Sequence, residues 1–285
     1  MHDLNADLHC HSTVSDGTLS PRQLAERAKA NSVALWALTD HDELAGQHEA
    51  AAAARALQLD YLCGVEISVT FADQTVHVVG LGIDPDNAAL RAGLAHTRGG
   101  RNRRARAIGD SLAAVGIDGA YEGAAALADN PDMVTRTHFA RWMVMTGVCR
   151  DSHEVFRNYL IDGKPGYVTQ QWATLRDAVA WIGGAGGLAV IAHPARYKYS
   201  ANEEWALFEE FKAHGGRGVE VLTASHSPAE VVRYADSARE YGLLASRGSD
   251  FHSPDESRIE LGALPPLPGG LTPVWSELQQ RIQRG

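Results

Sequence analysis

The chain has 285 residues, 45% of them hydrophobic and 21% charged, a globular composition that can bury a sizeable core and leaves no case for overall disorder. Its formal net charge of -9 argues against a surface that grips long nucleic acid through many phosphates, so a small substrate is expected, although a local positive pocket can still take a small anion. No apolar run reaches the length of a membrane span, and the three separated cysteines, Cys10, Cys63 and Cys149, offer neither a disulfide framework nor a CxxC site; the expectation is a cytoplasmic, reducing setting with no membrane and no obligate protein partner.

Up to about residue 97, strand and helix patterns alternate. LNADLH reads as a strand, PRQLAERAKA as a helix with Ser20 as N-cap and Pro21 in its first turn, VALWALT as a strand, and the alanine-rich run from about Glu43 to Leu57 as a helix. YLCGVEISVTF and TVHVVGLGI follow as two strands around the turn ADQ. From about Arg98 to Thr169 the strand signals fade into several short helices broken by Gly and Pro. Alternation then returns: TLRDAVAWIGGAG (helix), GLAVIAH (strand), EEWALFEEFKAHG (helix), GVEVLT (strand), SPAEVVRYADSAREYG (helix) and LLASRGSD (strand). LPPLPGGLTP is a closing loop before a last short helix. The reading is an α/β array, residues 1–97 and 170–285, with a helical insertion at 98–169.

Chemistry collects at the ends of the apolar runs. In DLHCHSTVSDG, strand alternation points His9 and His11 to one face and Cys10 to the other, which makes a pair of imidazoles rather than a thiol site. Asp16, then Asp40 and His41 in TDH, Glu66 in GVEIS, His77 in TVHVVGLG, His193 in VIAHP, and Asp250 with His252 in RGSDFHS extend the series. Any one of them could be a satisfied core histidine or a helix cap. Together they would be costly to bury without a cation.

This combined pattern resembles the PHP family (polymerase and histidinol phosphatase), whose fold is a distorted (β/α)7 barrel. The resemblance implies that His9, His11, Glu66 and Asp250 hold one metal, that Glu66 bridges to a second held with His77 and His193, and that Asp16, His41 and His252 hold a third. In some relatives a histidine stands at the position of Asp16. Two or three divalent ions are implied, Mn²⁺ ahead of Fe²⁺ or Zn²⁺, and imidazole with carboxylate suits all three. The insertion segments DMVTRTHFARWMV and KPGYV resemble the branch that contains 3′,5′-nucleotide bisphosphate phosphatases and exoribonucleases of short oligonucleotides. That implies hydrolysis of the 3′-phosphate of a pAp-like nucleotide, with a 5′ to 3′ exonuclease on short oligonucleotides as the alternative.

Ions held about 4 Å apart can share and acidify a hydroxide and neutralise phosphoryl oxygens, so no protein nucleophile is needed, and no GxSxG, Cys/His or P-loop pattern is present. Asp16 and His41, through the third ion, and His226 in LTASHSP as an acid or substrate contact, are the candidate catalytic residues. His226 also reads as a plain loop histidine before a helix. Asp40 reads as a carboxylate that orients an imidazole, and Asp42 as a helix cap. Thr135 fits an N-cap, which places Arg136 and His138 in a first turn suited to an anion, or at a solvated helix end. Arg101 and Arg104 in RGGRNRRAR, Lys164 and Tyr167 in DGKPGYV, and Arg196 three residues past His193 are further candidate substrate contacts. Trp181, Trp205 and Phe208 read as helix core. Two other readings remain at this level. One is C–N hydrolysis, though no lysine sits at a matching strand end; the other is a non-catalytic metal-binding partner module.

Overall fold

The structure is a computed structural model that describes residues 4–285. In chain order it contains β1 (Ala6–Asp7), α1 (Pro21–Ala30), β2 (Leu35–Leu38), α2 (Gln47–Ala56), β3 (Asp60–Phe71) and β4 (Gln74–Leu81). A helical stretch follows: α3 (Ala88–Ala113), α4 (Ala120–Ala126), α5 (Arg136–Met145) and α6 (Ser152–Val155), the last running into a π-helical turn at Phe156–Leu160. The remainder is β5 (Ala173–Thr174), α7 (Leu175–Gly184), β6 (Leu188–Ile191), α8 (Ala201–Ala213), β7 (Gly218–Thr223), α9 (Pro228–Tyr241) and β8 (Leu244–Gly248).

Seven strands lie in the order β1-β2-β3-β4-β6-β7-β8, with the short β5 beside β3. Pairing is parallel except at β4, which is antiparallel to both β3 and β6. The sheet then closes on itself. Leu8 N donates to Arg247 O, Asp250 N to His9 O and His11 N to Phe251 O, which joins the β8 side to the β1 side. This is the expected distorted seven-stranded α/β barrel. Strands such as LWAL and LAVI are buried on both faces, as parallel strands under helices must be.

Local chemistry sets the element ends. Ser20, Ser200 and Ser227 each form a capping box at the start of α1, α8 and α9, and Pro21 and Pro228 occupy first-turn positions where the missing N–H costs nothing. Ala72 and Asp73 both take positive φ, 43° and 59°, and close the β3–β4 hairpin in the two-residue turn whose twist matches the strands.

Several elements differ from the sequence reading. The first strand has only two residues, because His9, Cys10 and His11 turn their backbone to Asp250, Thr39 and Phe251 at the barrel seam. Helix α2 starts at Gln47, since Glu43 folds back to accept from the amides of Leu44 and Ala45. The helical region does not open with short helices: α3 is 26 residues long and crosses position 97/98 without a break. Its Leu90 and Leu94 belong to the barrel core, whereas its Ala105, Ile108 and Leu112 pack with Phe139, Met143 and Leu160 in a second core. The last helix is a single 3₁₀ turn, Val274–Ser276. Phe208 is buried, but Trp205 is 58% exposed and is not core.

The seam leaves no room for a side chain at Gly248. A Cβ there would lie 2.2 Å from His9 Cβ and 2.7 Å from its backbone nitrogen. Gly248→Ala is therefore expected to cost roughly 1–3 kcal/mol, the range for overpacked interiors, measured as a shift of the urea midpoint. An unchanged midpoint would mean that β8 and β1 do not meet in this way.

Candidate metal centre and substrate pocket

The nine expected ligands converge at one end of the barrel. His9 and His11 follow β1, His41 follows β2, His193 follows β6, and Asp250 and His252 follow β8. Glu66 and His77 instead lie inside strands, because the β3–β4 hairpin runs on past the barrel rim and the two face the centre from mid-strand. Cys10 points away, with its sulfur against Ala37 O and the Trp36 indole N–H.

Glu66 is the hub. Its Oε1 lies 2.9 Å from His77 Nδ1, 3.0 Å from His193 Nε2 and 3.3 Å from His9 Nε2, and its Oε2 lies 2.9 Å from His41 Nδ1 and 3.3 Å from His11 Nε2. Asp250 Oδ1 is 3.2 Å from His11 Nε2 and 3.5 Å from His9 Nε2, and Asp16 Oδ1 is 3.4 Å from His252 Nε2. The donor atoms form four overlapping groups, each within 4.8 Å: His9, Glu66 and His193; His9, His11 and Asp250; His41, Glu66 and His77; and His11, Asp16, His41 and His252. His11 thus joins the Asp16 group, and His41 joins the Glu66–His77 group, beyond the partition that the family resemblance implies.

This donor set fits divalent cations. His9 Nε2, both nitrogens of His11, Asp16 Oδ1, His41 Nδ1, Glu66 Oε2, His77 Nδ1 and His193 Nδ1 are buried and, despite their short approaches, make no well-aligned hydrogen bond among the described residues, a state rarely tolerated unless a ligand completes it. Burial alone would raise the Glu66 carboxyl, but His77, His9 and His41 hold it well below the usual carboxylate range. The same opposition, burial against His41, His252 and His11, keeps Asp16 ionised. His193 and Asp250 adopt positive φ, 28° and 53°, conformations that cost an L-residue about 1–2 kcal/mol. Such strain at adjoining ligands is a common mark of a functional centre.

A supporting layer fixes these groups. Asp40 does not orient an imidazole. It accepts from Ser12 N, Ser12 Oγ and Ser15 Oγ at 2.6–2.7 Å and so fastens the loop that carries Asp16. Asp42 caps no helix; it accepts from Ser68 N at 2.8 Å and forms a buried ion pair with Arg101. Thr135 Oγ1 donates to Asp16 Oδ2 at 3.0 Å. Glu220, on β7, touches both His9 and His193.

Above the cluster is a pocket of about 180 Å³ lined by Asp16, His41, Glu66, His77, Asp250 and His252, and by Arg101, Arg104, Arg136 and Arg196. Arg101 is already committed to Asp42 and Ser68. Among the described residues Arg104 and Arg136 have no carboxylate partner and bond only to the carbonyls of Val168 and Leu160. Burial, with Arg136 and Arg101 nearby, pushes Arg104 down to about 9. Arg196 is 45% exposed and reaches Asp250 at the pocket edge.

The other candidates lie elsewhere. His226 is not free to act as an acid, because its Nδ1 bonds Val221 O at 3.0 Å while Nε2 accepts from Ala195 N. His138 lies outside this pocket, with its Nδ1 accepting from Thr135 N in the capping box of α5. Lys164 is an exposed turn residue whose carbonyl accepts from Tyr167 N, and neither lines the pocket, although Tyr167 lies close to Arg104 and Arg136. Trp172 and Phe156, which sequence reasoning missed, supply aromatic walls, and Arg101 and Arg104 sit 4.9 and 5.5 Å from the Trp172 ring centre. A loop tryptophan gives no periodic signal. Glu220 had one, a lone carboxylate inside GVEVLT.

The PHP domain matches residues 7–184. A 3′,5′-nucleoside bisphosphate phosphatase of Chromobacterium violaceum is 51% identical over 98% of both chains, and a 5′-3′ exoribonuclease of Haemophilus influenzae is 42% identical over 95% of this chain and 98% of its own. Among solved structures, an amidohydrolase from Chromobacterium violaceum with bound sulfate and no metal superposes with a TM-score of 0.96 at 51% identity, covering 98% of each chain. The chain belongs to the PHP family.

Burial, with the Arg141 guanidinium nearby, holds His138 down to about 4 from an ordinary 6.5, and the neutral ring keeps Nδ1 as the acceptor of the Thr135 amide. The unfolded chain therefore binds the extra proton between these values, so this contribution is complete above about pH 6.5 and is lost as pH falls toward 4. His138→Gln keeps an acceptor for the Thr135 amide and removes the titration. Below pH 6 the metal-free variant should lose stability less steeply than the parent in urea, by up to about 3 kcal/mol; parallel curves would contradict the assignment.

Proposed function

We propose that the protein removes the 3′-phosphate from a nucleoside 3′,5′-bisphosphate of the pAp kind and releases the 5′-monophosphate and phosphate. The observation that carries this reading is the pair Arg104 and Arg136, two part-buried guanidinium groups without carboxylate partners among the described residues, on the wall of the ion-cluster pocket. They are suited to the 5′-phosphate, which a guanidinium can grip through two hydrogen bonds, while the 3′-phosphate lies over the cluster. The relative from Chromobacterium violaceum, named as a 3′,5′-nucleoside bisphosphate phosphatase, supports the same substrate class.

His9, His11, Glu66, His77, His193 and Asp250, with Asp16, His41 and His252, would hold two or three divalent ions, Mn²⁺ by preference. Such ions, when bound, supply Lewis-acid neutralisation of phosphoryl oxygens and an acidified water. The chain's own groups bind and orient. Arg196, hydrogen-bonded to Asp250, stands at the edge where the transferred phosphoryl group carries its charge, and Trp172 and Phe156 wall the nucleoside. The helical segment 98–169, which contributes Arg101, Arg104, Arg136 and Phe156, acts as the substrate cap. A cytoplasmic setting suits three free, buried cysteines; among the described residues no helix is long and apolar enough to cross a membrane.

A second reading, a 5′ to 3′ exonuclease on short oligonucleotides, is favoured by one feature. A neighbouring pocket of about 560 Å³ shares Phe156, Arg196, Asp250 and His252 with the first and continues past Ser225, Ser249 and Arg258. The buried hydroxyl of Ser225 has no partner there among the described residues. A nucleoside esterified to the scissile phosphate could occupy it.

Losing charge-assisted bonds to a phosphate costs about 1.5–3 kcal/mol, so Arg136→Ala and Arg104→Ala should each lower kcat/KM for pAp about 10- to 100-fold and change 3′-AMP turnover little. Equal hydrolysis of 3′-AMP and pAp by the parent enzyme would remove the second phosphate site. Arg258→Ala should slow a 5′-phosphorylated dinucleotide and spare pAp; equal loss on both substrates would count against the second pocket.

A further inference from the structure

Glu220 lies on β7, 1% exposed, at the point where the register between β7 and β8 becomes irregular between Glu220 and Leu222. Irregularities of this kind re-aim side chains. Here each carboxylate oxygen meets one donor. Oε1 is 2.8 Å from His9 Nδ1, and Oε2 is 2.7 Å from the backbone nitrogen of His193. The two histidines come from opposite sides of β7: His193 follows β6, and His9 follows β1, which β8 separates from β7. With Glu66 they make one of the convergent donor groups.

We propose that Glu220 is the positioning residue of this group, a single carboxylate that sets the tautomer of one ligand and the backbone of the other. The inference rests on the reading of the cluster as an ion site. An ionised carboxylate only accepts, so the bond at 2.8 Å requires the proton on His9 Nδ1 and leaves the lone pair of a neutral ring on Nε2. That Nε2 faces Glu66 and Asp250 and has no hydrogen-bond partner among the described residues. The second oxygen fastens the His193 amide, which helps to hold that residue at φ 28° and its Nε2 3.0 Å from Glu66.

The chemistry predicts an unusual order among variants. In Glu220→Gln the side chain keeps its shape but offers one acceptor and one NH₂ group. The His193 amide can only donate, so it takes the oxygen and the NH₂ faces His9 Nδ1. Nδ1 must then accept, the ring proton moves to Nε2, and the ligand lone pair is lost. Glu220→Ala leaves the two donors unsatisfied and a void, but it does not impose the wrong tautomer. Glu220→Asp retains two acceptor oxygens, set back by one methylene.

The test measures Mn²⁺ and Zn²⁺ binding, by titration and by ion content after gel filtration, together with the melting temperature of the ion-free proteins. Glu220→Gln is expected to lose about 10- to 100-fold in affinity for the ion held by His9, the range for removed supporting partners, and to lose more than Glu220→Ala. The melting temperature should run the other way, with Glu220→Ala lower than Glu220→Gln. Glu220→Asp should bind more tightly than either. Ion binding by Glu220→Gln equal to the parent, or better than Glu220→Ala, overturns the proposal. If Glu220→Gln does not fold, the comparison of Asp with Ala decides, and equal loss in both overturns it. A parent protein that binds no ions would instead refute the ion-site reading itself.

Discussion

One buried carboxylate governs this molecule. Glu66 is fully buried, and five imidazoles, from His9, His11, His41, His77 and His193, come within 3.3 Å of its two oxygens. An isolated charge in that position would be expelled or neutralised, so the barrel can hold it only with counter-charge beside it, at the point where imidazoles converge from several strand ends. The strained backbones of His193 and Asp250, the seam bonds between the β1 and β8 ends, and the hairpin that carries Glu66 past the rim all serve this convergence.

The same economy links the centre to the helices above it. Helix α3 begins in the barrel core and ends in the second core, and midway it plants Arg101 on Asp42, the residue next to His41. The pair is buried and also bonded to Ser68, so the guanidinium is satisfied where it stands. Less than a turn further along that helix, and on α5, Arg104 and Arg136 have no such counter-charge among the described residues. The contrast separates a structural strut from groups still available to an anion.

Much of this was legible in the sequence for physical reasons. Strand alternation separates His9 and His11 from Cys10, and Ser20, Pro21 and Thr135 mark helix starts through backbone groups that must be capped. What could not be read depends on contacts distant along the chain. Asp42 resembles a cap until Arg101, 59 positions later, claims it. His226 resembles an acid until Val221 and Ala195 occupy both nitrogens, and Glu220 passes as a stray charge in an apolar strand until His9 and His193 are seen on either side. Glu66 and His77 sit mid-strand because a hairpin longer than the barrel wall moves its ligands inward from the strand ends.

The most direct measurement of the central claim is the ion content and pAp phosphatase activity of Glu66→Gln, set beside its far-UV circular dichroism. Loss of at least two bound ions and of activity, with the secondary structure retained, is the predicted result. A folded Glu66→Gln protein that keeps its full complement of ions and hydrolyses pAp at the parent rate would contradict the account.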